Sequence, residues 1–326
     1  MYKRLRGENI NSFFSWVGGK KALRDLIYAR MPLLFSIYVE VFGGAGWVLF
    51  GMEKICGVEV YNDFNANLVN LFRCVKERPL AFLLELGFLP LTSRDEFKLL
   101  KRFLKRKQFH ESYLKQELDI AKKVMPDPDF EDIRAILTER SEDIDVHRAV
   151  TFFKVIRYSY ASKGTSFGCK AFDIYKAFAL IWAANRRLKD TVLENQSYEY
   201  LIPHYDRPDA FLYVDPPYYE TEDYYADVGF TRKDHIKLRN ILANTEGKWL
   251  LSYNDCRPIR FLYRHFYIEA VERLDNMAQR YDGGKIYKEL LISNYDTTER
   301  SKHLPEQTSL FGAVAGIFVS KNKRSA

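Results

Sequence analysis

The chain predicts an α/β fold, a doubly wound sheet interrupted by an inserted helical domain. Three observations carry this expectation. Short β-branched and aromatic runs alternate with helical runs. The first of them, Ile37-Tyr38-Val39-Glu40-Val41-Phe42, breaks into Gly43, Gly44 and Gly46 and continues as an apolar helical stretch, so strand, glycine turn and helix follow one another. Between the second and third strand-like runs, about 130 residues carry almost no strand pattern.

Taken in order, a helix is expected to start near Lys21, after Phe14-Ser15-Trp16-Val17-Gly18-Gly19-Lys20. Strands are expected near 37 to 42, 56 to 61, 191 to 194, 210 to 215, 247 to 253, 266 to 273 and 288 to 294, each a β-rich run bounded by turn residues. Within the long gap, Ser93-Arg94-Asp95-Glu96 has the pattern of a helix start with a capping box, and Met125-Pro126-Asp127-Pro128 that of a break. Residues 171 to 189 return to the core as an amphipathic helix.

Composition narrows the class. A chain of 326 residues that is 47% hydrophobic can bury one large core plus a smaller appended unit. A net charge of +7 favours a polyanionic partner, and no segment approaches twenty uninterrupted apolar residues, so no membrane association is expected. The basic, then polar N-terminus does not have the form of a signal peptide, and a cytoplasmic location is expected. Cys56, Cys74, Cys169 and Cys256 show neither CxxC spacing nor histidine companions, so no metal is expected.

The chemistry concentrates at Asp215-Pro216-Pro217-Tyr218, which ends the apolar run Ala210–Val214. Two prolines remove backbone donors and fix φ, so the ladder cannot continue and the chain leaves the sheet in a rigid turn. Such a turn offers a carboxylate and the Pro216 carbonyl to the hydrogens of an exocyclic amine, and the Tyr218 ring to the face of a base. The glycine turn lacks the third glycine of a G-x-G-x-x-G fingerprint, because Leu49 stands there. Asn62-Asp63 closes the second strand and puts a carboxylate where α/β sheets bind ribose hydroxyls. That combination suits S-adenosylmethionine.

The ordered set F-x-W-x-G-G-K, E-x-F-G-G-x-G, N-D-x-N, a long insert and D-P-P-Y resembles the Dam-like (alpha-group) DNA adenine-N6 methyltransferases, over roughly residues 12 to 76 and 150 to 295. The resemblance implies a Rossmann-like S-adenosylmethionine-dependent sheet made of residues 1 to 76 and 165 to 326, with residues 77 to 164 as a helical target-recognition insert. It further implies that Trp16 and Lys20 border the cofactor pocket, that Glu40, Gly43 and Gly44 line its amino-acid end, that Phe42 also contacts the cofactor, and that Asp63 binds the ribose. Ser197 and Tyr198 would lie near the cofactor adenine, with Gln196 where family members often carry an acid. Asp215, Pro216, Pro217 and Tyr218 would form the catalytic turn, Asp215 also reaching the cofactor, and Glu289–Tyr295 resembles the family's final strand. The implied substrate is adenine in double-stranded DNA. Alternatives are a methyltransferase for cytosine N4, RNA adenine or a protein glutamine amide, and an inactive DNA-binding homologue. The aspartate that opens D-P-P-Y and the Trp16–Lys20 block disfavour the first group, and the intact site disfavours the second.

Two segments are expected to meet DNA. Lys98, Lys101, Arg102 and Lys105 recur at i, i+3, i+4 and i+7 on one helical face, with Leu100, Phe103 and Leu104 on the buried side. Residues 127 to 145 hold eight acids against two arginines and should point away. The stretch from Arg157 to Gly168, with Tyr158, Lys163 and Ser166, suits a β-hairpin entering a duplex, and the resembled family contacts DNA from this position. Gln307-Thr308-Ser309-Leu310-Phe311 resembles the short Q-x-x-L-F peptides that dock on the replication sliding clamp.

Overall fold

A computed structural model describes residues 10–54, 56–87, 93–105, 114–125, 129–168, 174–219, 230–274 and 286–298. Among them, β1 (Ile37–Glu40), β2 (Val58–Asn62), β3 (Thr191–Glu194), β4 (Ala210–Val214), β5 (Lys248–Asn254), β6 (Tyr267–Leu274) and β7 (Ile286–Ser293) form one sheet in the order β3-β2-β1-β4-β5-β7-β6. All pairings are parallel except those of β7, which runs antiparallel between β5 and β6. This is the doubly wound sheet that the alternation of runs predicts and the Rossmann-like sheet that the resemblance implies, and the strand runs match the expected positions to within about two residues.

Side-chain alternation explains why both faces are covered. Tyr38, Phe211, Tyr213 and Leu250 join one apolar cluster, whereas Val39, Leu212, Val214, Leu251 and Tyr253 join another on the opposite face. The first face is packed by α1 (Arg24–Arg30), α2 (Trp47–Phe50), α3 (Ala66–Glu77) and α9 (Ile174–Leu188). The second carries α10 (Tyr198–Tyr205), α11 (Arg232–Ala243) and α12 (Arg257–Leu262). Helix α3 begins where Asn65 Oδ1 accepts the N–H groups of Asn67 and Leu68 at 3.1 and 3.2 Å, the ordinary chemistry of an asparagine N-cap.

The stretch expected as an insert contains α4 (Pro79–Leu86), α5 (Arg94–Leu104), α6 (Leu114–Val124), α7 (Asp129–Asp143) and α8 (Val146–Tyr158). Ser93 caps α5, and α6 and α7 separate at the expected break, whose residues 126–128 lie outside the described set. Helix α8 does not stand apart from the sheet domain. Val146, Val150, Phe153 and Ile156 share a cluster with Leu68, Leu71 and Phe72 of α3. The buried Arg78–Glu117 pair ties α6 to the junction of α3 and α4.

The hairpin expected over Arg157–Gly168 is shortened to a loop closed at its base, where the Tyr160 N–H donates to the Ser166 carbonyl at 2.8 Å and the Gly168 N–H to the Tyr158 carbonyl at 2.7 Å. Helix α8 runs through Tyr158, a 3-10 helix follows at Tyr160–Ser162, and a single antiparallel bridge, Ser159↔Phe167, closes the segment. The physical reason is that Val155, Ile156 and Tyr158 extend the apolar helical stripe and are buried, which outweighs the turn-forming composition that follows. On α5, Phe97 is the buried residue and joins Val155 and Tyr158, while Leu100 and Leu104 are half-buried at its margin. Gln307–Phe311 lies outside the described residues.

Candidate active site

Strands β1 and β4 are sheet neighbours, but their next strands, β2 and β5, lie on opposite sides of them. Such a switch point leaves a crevice at the carboxyl ends of the strands, where doubly wound sheets bind ligands. The glycine turn follows β1 and Asp215 follows β4, so both motifs open into that crevice. A Cβ on Gly43 would lie 2.2 Å from the Tyr61 ring, and Gly44 has φ +52°, so neither position tolerates a side chain cheaply. Asp63 fixes the turn from β2: its carboxylate accepts the Gly44 N–H at 3.0 Å and the Asn65 N–H at 2.8 Å. Tyr61 Oη donates to the Gly44 carbonyl at 2.7 Å.

These elements form an open cleft of about 650 Å³, solvent at its mouth included, whose lining includes Trp16, Lys20, Glu40, Phe42, Gly43, Gly44, Asp63, Asp215 and Pro217. The sequence blocks at 16–20, 40–44, 63 and 215 therefore converge as expected. Lys20 Nζ lies 2.7 Å from the Asp215 carboxylate and also donates to the Gly18 carbonyl at 2.9 Å. Ser252 Oγ, on β5, donates to Asp215 Oδ1 at 2.8 Å. The Tyr218 ring lies beside this pair, with Lys20 Nζ 4.7 Å from its centroid, and its hydroxyl donates to Glu289 Oε2 on β7 at 2.8 Å. Among the described residues no donor reaches the Pro216 carbonyl.

The electrostatics follow from burial. Desolvation raises the Asp215 carboxyl above the usual range, opposed by Lys20 and by the Ser252 hydroxyl. Glu40 is pushed up to about 8 by burial, although Tyr38 Oη and the Leu49 N–H, at 3.1 and 2.9 Å, both favour its charged form. The second of these donors belongs to the opening turn of α2, so Glu40 also anchors that helix. Burial raises Asp63 as well, against the pull of the Asn65 and Gly44 N–H groups.

A second cavity of about 590 Å³ adjoins the first, and Phe42 and Phe64 line both. Phe42, Tyr198 and Phe230 form a triangle of rings with centroids 5.8 to 5.9 Å apart. Ser197 and Tyr198 line this cavity, and Tyr198 Oη donates to Asp234 Oδ1 at 3.0 Å. Gln196 also lines it, anchored through its main chain: Asn62 accepts its N–H at 2.8 Å and donates to its carbonyl at 3.1 Å. Sequence reading missed Phe64, Phe230, Asn62, Ser252 and Glu289. Phe64 had a signal, being the unspecified residue of N-D-x-N, and it is half-exposed at the mouth shared by the two cavities.

The residues expected to meet DNA divide into two groups. Lys98, Arg102 and Lys105 on and just after α5 are exposed, whereas Lys101 donates to the Thr165 carbonyl at 2.8 Å and so pins the 159–168 turn to α5. Ser166 is exposed on that turn, and Arg157 and Lys163 are half-buried beside it. Tyr158 is 4% exposed against Phe97 and Val155, which corrects its placement on a DNA-facing surface. The turn is coupled to the cavity through α8: Phe152 lies 5.7 Å from the Trp16 ring, about 9 Å along the helix axis from Tyr158.

Comparison with known proteins agrees with this geometry. The family model described as D12 class N6 adenine-specific DNA methyltransferase matches residues 16–277. The chain is 26% identical over 310 residues to the type II methyltransferase M1.LlaDCHI of Lactococcus lactis subsp. cremoris, covering 88% of this chain and 96% of that protein. It is 23% identical over 256 residues to the type II methyltransferase M.CviBI of Paramecium bursaria Chlorella virus NC1A, covering 76% and 84%. With the glycine turn, the D-P-P-Y turn and this family match converging on one crevice, the chain belongs to the D12 class of N6 adenine-specific DNA methyltransferases.

Proposed function

We propose that the crevice between β1 and β4 transfers a methyl group from S-adenosylmethionine to the N6 of an adenine extruded from double-stranded DNA. The observation that carries this reading is the convergence of Lys20, the glycine turn, Asp63 and Asp215 on one cavity, with a second, aromatic cavity adjoining it. The residues fit such a cofactor. One cavity offers charged groups and close main-chain approach for an amino-acid end and a ribose, and the other offers Phe42, Tyr198 and Phe230 around a flat, apolar ring. When bound, the cofactor supplies an electrophilic methyl on sulfur.

The chain's own residues then act by positioning. Asp215 and the Pro216 carbonyl accept the two amino hydrogens of adenine, which draws the nitrogen lone pair out of conjugation and aims it along one line. Tyr218 supports the base by stacking, so that the cost of extrusion is partly offset. Lys20 and Ser252 both favour the ionised carboxylate that this work needs, against the upward pull of burial. The amino proton leaves after transfer, to water.

Residues 77 to 164 serve target recognition in this reading, with Lys98, Arg102 and Lys105 tracking phosphates and the turn at 163 to 166 closer to base edges. Type II relatives support a site-specific modification enzyme, and DNA in the cytoplasm is the setting this implies. Sliding-clamp docking through Gln307–Phe311 rests on sequence alone, and a binding assay against the Leu310→Ala, Phe311→Ala variant tests it. For the main reading, purified protein is incubated with methyl-labelled S-adenosylmethionine and double-stranded DNA, single-stranded DNA or RNA, and the nucleosides are separated. N6-methyladenine from duplex DNA is the expected product. N4-methylcytosine, or label confined to RNA, overturns the proposal.

A further inference from the structure

Glu289 is a buried acid for which the transfer scheme above has no use. It stands fully buried on β7, directly across the antiparallel ladder from Asn254 of β5. These cross-strand neighbours reach the same turn. Glu289 Oε2 accepts the Tyr218 hydroxyl at 2.8 Å. Asn254 Oδ1 accepts the Tyr219 N–H at 3.1 Å, and its Nδ2 donates to the Tyr219 carbonyl at 3.0 Å. An amide that engages both main-chain groups of one residue does what a neighbouring strand would do, at the place where Pro216 and Pro217 have ended the ladder.

The Tyr218 ring is consequently held on several sides: its hydroxyl by Glu289, its face by Lys20 Nζ at 4.7 Å, and Tyr253 at 6.0 Å between centroids. A buried carboxylate is a costly way to fill a strand interior, which an apolar side chain of similar volume would fill at least as stably. What the acid supplies that an apolar residue cannot is a fixed acceptor for one hydroxyl. Sites that act through positioning depend on such supporting contacts.

We propose that Glu289 and Asn254 are positioning residues for methyl transfer: together they fix the orientation of the Tyr218 ring and the Tyr219 main chain before DNA and the extruded adenine arrive. This rests on the reading that Tyr218 faces the target base. It brings β7 into the site, since β4 supplies the turn while β5 and β7 hold it in place.

The test compares Glu289→Leu, Glu289→Gln, Asn254→Ala, Tyr218→Phe, Tyr218→Ala and the Glu289→Leu, Tyr218→Phe double variant, each checked by thermal unfolding. Glu289→Leu and Tyr218→Phe are expected to lower kcat roughly 10- to 100-fold while the KM for DNA stays within about twofold, and the double variant is expected to be no worse than either alone. Glu289→Gln keeps an acceptor and should recover activity to within about threefold of wild type. Asn254→Ala should lower kcat without changing the salt dependence of DNA binding. With 2-aminopurine at the target position and no methyl donor present, the fluorescence decay should change from one dominant component in wild type to several in Glu289→Leu and Tyr218→Phe, reporting a base that samples more environments. Multiplicative losses in the double variant, a Glu289→Gln as impaired as Glu289→Leu, or a loss confined to KM overturns the inference. If Glu289→Leu does not fold, Tyr218→Phe and Glu289→Gln decide it by the same criteria. Near-wild-type transfer by Tyr218→Ala would instead remove the reading that Tyr218 faces the base, so the two failures are distinguishable.

Discussion

Replacing Asp215 by Asn tests the site at its centre. The change keeps the shape and a carbonyl oxygen but removes the charge that, in the proposed function, faces the target amine. A hydrogen bond to a charged acceptor contributes about 1.5–3 kcal/mol, and a unit charge about 4 Å from a developing cation contributes about 4 kcal/mol at an effective dielectric constant near 20. Those values bound the expected fall in single-turnover methyl transfer at roughly tenfold and roughly a thousandfold. Stability has to be separated from chemistry, because Lys20 is 6% exposed and loses its counter-ion in the variant. Removing one partner of a buried pair costs about 3–5 kcal/mol. The Lys20→Met, Asp215→Asn double variant should therefore regain most of the melting temperature lost by Asp215→Asn without regaining the transfer rate. The assay uses saturating S-adenosylmethionine and a duplex carrying the modified sequence read from the DNA of an expressing host. Transfer by Asp215→Asn within threefold of wild type, in folded protein, would refute the reasoning.

The other predictions touch the pocket and its surroundings. Glu40 has its carboxyl raised to about 8, against about 4.3 for an unperturbed side chain, so the folded state binds more protons than the unfolded state between those values and stability falls as pH rises through that window. Chemical denaturation from pH 5 to 8.5 should show wild type losing on the order of a few kcal/mol relative to Glu40→Gln, which has no proton to release there. Parallel curves would count against the assignment. Phe64→Ala should weaken S-adenosylmethionine binding roughly 3- to 10-fold by calorimetry, the range of one aromatic contact, and leave the salt dependence of DNA binding alone. Arg102→Ala with Lys105→Ala should reduce the slope of log affinity against log salt by up to about 2 on any duplex, whereas a slope unchanged within error removes both from the phosphate contacts. Lys101→Ala is expected to behave differently, because its ammonium also holds the Thr165 carbonyl, and altered site preference should accompany its weaker binding.

Much of this architecture was legible because its signals are local. A strand that ends in two prolines, or that breaks into glycines where a Cβ would meet the Tyr61 ring, is a backbone constraint written in consecutive residues. The second tier of the site is not local. Ser252 and Glu289 look like ordinary interior positions of β5 and β7, and they matter only because the strand order brings them against a turn 37 and 71 residues away in sequence. No periodicity argument contains that information. The segment after Arg157 misled for the opposite reason: glycine, serine and threonine suggested a hairpin, while the apolar stripe Val155, Ile156 and Tyr158 had already committed the chain to one more helical turn.

The contacts of Asp215 carry a consequence for how such a site admits its substrate. The Lys20 ammonium lies 2.7 Å from each of its oxygens, and one of the two also accepts the Ser252 hydroxyl of β5 at 2.8 Å. A buried carboxylate without donors would take up a proton and lose the charge that makes it useful. Lys20 and Ser252 favour its ionised form in the interval between substrates. A target amine that comes to the same carboxylate is weaker than an ammonium as a donor and so gains access only by sharing the acceptor or by drawing Lys20 aside, toward the Gly18 carbonyl it already contacts at 2.9 Å. The exchange is least costly when other contacts, stacking on Tyr218 above all, have already placed the base. Stacking and amine recognition at this carboxylate are on that account coupled, and a ring held loosely would weaken both at once.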